Sequence, residues 1–78
     1  MREFTIQLGS LRQILGFVSL ATTQPFPVQV ENDRQQVNGK NFLGMLTLDH
    51  GKGIRVKVDC EEAAFLRFRE EAEKLLTD

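Results

Sequence analysis

The sequence predicts an α+β fold, an open-faced β-sandwich that runs β-α-β-β-α-β-α. Its four-stranded antiparallel sheet would carry three helices on one face. Three observations support this. The stretches "REFTIQL", "VQVE" and "GIRVKVD" alternate apolar and polar residues with period two, as half-buried strands do. The segments after Ser10 and after Asp59 instead repeat their apolar residues at helical spacing. Residues suited to capping or turning separate all of these segments.

In the first strand, Phe4, Ile6 and Leu8 alternate with Thr5 and Gln7. Gly9 and Ser10 break the pattern, and Ser10 is a good N-cap for a helix with apolar residues at Leu11, Ile14, Leu15, Val18 and Ala21. Two prolines in "TTQPFP" end that helix. Val28 and Val30 then oppose Gln29 and Glu31, and Asn32-Asp33 can supply a tight hairpin turn. The returning arm, Arg34 to Val37, is short and polar, which suits a sheet edge.

"NGK" turns the chain again, and Asn41 can cap a short apolar helix, "FLGMLTL". The loop "DHGKG" leads into the most regular strand, with Ile54, Val56 and Val58 inward and Arg55 and Lys57 outward. Asp59 followed by Glu62 resembles a capping box for the last helix. That helix should run from about Glu61 to Leu76, with Ala64, Phe65, Phe68, Ala72, Leu75 and Leu76 inward. A ferredoxin-like β-α-β-β-α-β domain has nearly the same element order. The order of strands within the sheet separates the two.

Seventy-eight residues, 41% hydrophobic with six phenylalanines, suffice for a single domain over residues 1–78 and one core, without a second lobe. The net charge of −1 and the scattered basic residues oppose a nucleic-acid surface, which needs a basic stripe. The single cysteine, Cys60, excludes an internal disulfide and suits a reducing compartment. No apolar run approaches the roughly 20 residues of a membrane span, so no membrane insertion is expected. No signal-like start precedes the first strand, and a cytoplasmic location is expected.

Ser10, Leu11 and Arg12 form the candidate anion-binding site. Free amides at a helix start and a guanidinium fork suit phosphate, sulfate or a partner's carboxylate. An ordinary cap followed by a solvated arginine would leave the same residues. Phe42, Leu43, Met45, Leu46 and Leu48 crowd the short helix. A helix packed on one side buries only a stripe. With Met45 and Leu48 facing the sheet, some of Phe42, Leu43 and Leu46 should meet solvent or a partner. His50, the only histidine, reads as an exposed loop residue, and the sequence offers no metal-ligand set. The Gly51-Lys52-Gly53 stretch precedes a strand rather than a helix, so it is not a phosphate-binding loop.

The ordered set "FTIQL", an arginine at the start of the first helix, a hairpin and "VNGKNFLGMLTLDHGKGIRVKVD" resembles the HPr family. HPr is the histidine-containing phosphocarrier of the bacterial phosphoenolpyruvate-dependent sugar phosphotransferase system. The resemblance covers nearly the whole chain. The family's first helix opens with histidine, any residue, arginine and proline, and here that motif falls on Ser10, Leu11, Arg12 and Gln13. Arg12 matches, and Ser10 stands at the histidine position. Gram-positive members also carry a regulatory serine at the start of the second helix, and Asn41 stands there.

A hydroxyl without an adjacent base is a poor nucleophile, and its phosphate ester is too stable for reversible transfer. The resemblance therefore implies an HPr-like protein without carrier activity, a binding or regulatory module rather than an enzyme. Its partners would be phosphotransferase-system enzymes or transcriptional regulators, met through Phe42, Leu43 and Leu46. No cofactor is expected, and the protein would be a monomer or weak dimer. The alternative is a working phosphocarrier with a non-standard phosphoryl acceptor, either Ser10 or His50.

Overall fold

A computed structural model describes residues 1–77. Strand β1 (Arg2–Ile6), helix α1 (Leu11–Thr22), β2 (Val28–Glu31), β3 (Gln36–Asn38), α2 (Phe42–Thr47), β4 (Ile54–Val58) and α3 (Glu62–Lys74) follow one another, and a 3-10 turn spans Leu75–Thr77. The sheet order is β1-β4-β2-β3, and all three pairings are antiparallel. The three helices cover one face, giving an open-faced sandwich.

The last strand occupies the slot between β1 and β2, and β3 lies at an edge. The ferredoxin-like alternative, with the third strand in that slot, is thereby excluded. Burial explains the choice. Ile54, Val56 and Val58 are each at most 1% exposed, so β4 needs neighbours on both sides and the helices above it. The polar β3 has only Val37 directed at the core, and its position leaves one edge to water. It begins two residues later than the sequence pattern indicates. Asn32 closes a longer turn, its Oδ1 accepting from the amides of Arg34 and Gln35.

Phe68 is the hub of the core, with Phe4, Phe17 and Phe26 ring centres at 5.8–6.0 Å. It selects the inward face of α1. Phe17, Val18 and Ala21 are buried and Ile14 packs beside them, whereas Leu11 and Leu15, which share the helical apolar spacing, remain 57% and 45% exposed. In α3, Phe65, Phe68 and Ala72 are buried, but Leu76 turns outward where the helix tightens into the 3-10 turn. The capping-box reading of Asp59 fails as well. Glu61 holds the N-cap position and makes no side-chain bond, so α3 depends on its packing.

Each residue of "NGK" has a structural task. Asn38 Oδ1 accepts from the Lys40 amide, and Lys40 Nζ donates to the Gln24 carbonyl just beyond α1. Gly39 lies so close to β2 that a Cβ there would sit 2.7 Å from Val28 Cγ1. Gly53, with φ +84°, turns the chain into β4.

Candidate functional site

The α1 start is closed from two sides. Ser10 has extended backbone and its Oγ accepts from the Gln13 amide at 3.2 Å, the geometry of an N-cap. The Gln13 side chain reaches back, its Oε1 accepting from the Gly9 amide at 2.6 Å. This is a capping box displaced by one residue, and the Ser-x-x-Gln spacing was its unread sequence signal. The Leu11 and Arg12 amides have no acceptor within the helix. Arg12 is exposed and forms no ion pair among the described residues. Ser10, Leu11 and Arg12 are thus together on the surface, and two neighbouring amides are already occupied by the chain itself.

Next to this start lies the α2–β4 loop. Gln7 Nε2 donates to the Gly51 carbonyl at 2.7 Å, tying the connection before α1 to that loop. His50, expected to be exposed, is half-buried. Its Nε2 contacts the Met45 carbonyl at 2.7 Å, and since a carbonyl only accepts, Nε2 is the donor. Nδ1 is buried without a hydrogen-bond partner. The ring closes the C-terminal end of α2, and neither nitrogen is open to an incoming group.

Helix α2 begins at Asn41, whose Oδ1 accepts from the Gly44 amide at 3.1 Å. Met45 is fully buried and Leu48 nearly so, which anchors the helix. Phe42 is half-buried against the core, whereas Leu43 and Leu46 are 71% and 40% exposed. Helices α1 and α2 pack on each other. The exposed large apolar residues of these two helices are Leu11 and Leu15 on α1 and Leu43 and Leu46 on α2.

The opposite, open face of the sheet is polar. Glu31 pairs with Lys57 and Arg55, and Arg55 also reaches Asp33 at 3.2 Å. The hydrogen bond from Lys57 lowers the Glu31 pKa, and the same bond raises that of Lys57. Among the described residues no group of three or more His, Cys, Asp or Glu could hold a metal ion, and no helix is long and apolar enough to cross a membrane.

A helix-covered antiparallel sheet of strand order β1-β4-β2-β3, with a capped, arginine-bearing start to its first helix, defines an open-faced β-sandwich domain. Residues 10–78 match a family described as "PTS HPr component phosphorylation site", and the chain belongs to the HPr family of the phosphotransferase system. Solved structures agree in fold. HPr-C-His from Thermoanaerobacter tengcongensis is 23% identical over 100% of this chain and 98% of its own, with a TM-score of 0.73. A mycoplasma histidine-containing phosphocarrier protein is 12% identical over 96% and 91% of the two chains, with a TM-score of 0.74. The catabolite-repression protein Crh of Bacillus subtilis, described as a swapped, intertwined dimer, is 21% identical over 92% and 86%, with a TM-score of 0.64. No curated protein sequence matches significantly.

Proposed function

We propose that this protein is an HPr-like binding or regulatory module without phosphocarrier activity. The observation that carries the reading is the state of its candidate acceptors. Ser10, at the position of the family histidine, uses its Oγ to cap α1 and is hydrogen-bonded to no base among the described residues. His50, the only imidazole in the sequence, has one nitrogen bonded to Met45 and the other buried. Reversible phosphoryl transfer needs an accessible nucleophile that is also a good leaving group. A serine ester fails the second requirement, and His50 in this position fails the first.

Such a module would act in the cytoplasm on phosphotransferase enzymes or transcriptional regulators. Leu11, Leu15, Leu43 and Leu46 would make apolar contact, and Arg12 with the free amides beside it would take a partner's carboxylate or phosphate. Asn41 keeps the cap of a regulatory serine but offers no hydroxyl to a kinase. A monomer or weak dimer fits this small patch.

Incubation with phosphoenolpyruvate and the general phosphotransferase enzyme should add no acid-labile phosphate, as read by intact mass before and after acid treatment. An acid-labile gain of one phosphoryl group would overturn the reading, and its loss in Ser10→Ala or His50→Ala would identify the acceptor.

A further inference from the structure

A cleft of about 330 Å³ opens at the end of the sheet, between the β2–β3 turn and the α2–β4 loop. It falls within the roughly 300–1,000 Å³ of small-ligand sites. The two loops are tied together, because Asn32 Nδ2 donates to the Asp49 carbonyl at 3.2 Å. Three cations line the cleft, Arg34 from one loop, Lys52 from the other and Arg55 from β4. Arg55 is held by Glu31 and Asp33, whereas Arg34 and Lys52 form no ion pair among the described residues. Two carboxylates also line it. Asp33 Oδ1 accepts from Arg55 and Asp49 Oδ1 from the Gly51 amide, which leaves the second oxygen of each without a hydrogen bond among the described residues.

We propose that this cleft is a ligand site for a small hydroxylated monophosphate ester. A phosphate dianion satisfies Arg34 and Lys52, one from each loop. The remaining carboxylate oxygens of Asp33 and Asp49 have acceptor capacity, which suits hydroxyl donors. Arg55 is already paired, so the two remaining cations balance one phosphate dianion and leave nothing to offset a second against the carboxylates. The site therefore favours esters with a single charged group. The cleft shares no residue with the α1 start and stands or falls independently of the function proposed above.

The test is a titration of the ¹⁵N-labelled protein with glycerol 3-phosphate, inorganic phosphate and glycerol, followed by amide chemical shifts. Glycerol 3-phosphate should give saturable shifts at Arg34, Gln35, Lys52 and Gly53. Inorganic phosphate should bind at least tenfold more weakly, and glycerol should not saturate. The double variant R34Q/K52Q, altered only at exposed positions, should retain the remaining spectrum and lose at least tenfold in affinity. Four outcomes overturn the proposal: no saturable shift, equal affinity for inorganic phosphate, unchanged affinity in the double variant, or shifts confined to Leu11–Gln13. The last would assign the anion to the α1 start instead.

Discussion

The start of α1 at Ser10 and the start of α2 at Asn41 are closed by the same bond, a side-chain oxygen accepting the amide three residues on. Their surroundings differ. Helix α1 has twelve residues, buries three of them and adds the Gln13 back-bond, while Arg12 extends into solvent beside the cap. Helix α2 has six residues and one buried anchor, Met45, with its C-terminal end closed by His50. Both helices are short enough to be marginal alone, so both rely on buried anchors, and α1 adds the Gln13 back-bond as local support that α2 lacks. In both, capping accounts for the residue present without any phosphorylation.

The largest effects should come from the anchors. Phe17→Ala should cost about 3–5 kcal/mol and Met45→Ala about 2–5 in urea unfolding. A Met45 loss below about 1 kcal/mol would mean that α2 is held by its caps, and the contrast would collapse. Removing the caps comes next. Ser10→Ala and Asn41→Ala should each cost about 1 kcal/mol, with Ser10→Asp retaining the cap of α1.

Gln13→Ala removes one exposed hydrogen bond, worth about 0.5–1 kcal/mol net. It should also speed hydrogen exchange at the Gly9 amide and leave Gly44 unchanged. Equal acceleration at Gly44 would show that the two starts are coupled rather than separate. Leu43→Asp, at a surface position, should change stability by no more than about 0.5 kcal/mol.

The smallest effect is a pH control on the far face. Glu31 has a lowered pKa, so its pairing stabilises the fold above the ordinary carboxylate range and is lost as pH falls through the depressed value. Lys57 has a raised pKa, so its contribution is complete below the ordinary lysine range and is lost as pH rises through the elevated value. Glu31→Gln should flatten both limbs of the stability–pH profile. The Ser10→Ala and Asn41→Ala differences should keep their size across that range.

Much of this was legible locally. Ser10 and Asn41 as caps, the inward Val28, Val30, Ile54, Val56 and Val58, and the edge character of the third strand follow from residue type and spacing. The orientation of α1 was not. Its apolar residues cover more of the circumference than one packing stripe can bury, and only the position of Phe68 favours Phe17 over Leu11 and Leu15. Glu61 in place of Asp59 at the α3 start, the outward Leu76 and the half-buried His50 were likewise hidden. Each depends on local backbone geometry that residue type alone does not reveal: α3 starts after Glu61 without a side-chain cap, it tightens at Leu75, and His50 folds back onto the Met45 carbonyl.

By itself the sequence determined the element order, the two side-chain caps and the chemistry available at residue 10, because these depend on neighbours within a few positions. Only the tertiary structure decided that β4 enters between β1 and β2. It also decided that His50 turns its nitrogens away from solvent, and which leucines remain exposed. The strand order and the exposed leucines follow from burying one shared core, whose contacts join residues far apart along the chain. His50 is set instead by its bond to the Met45 carbonyl at the end of the anchored α2.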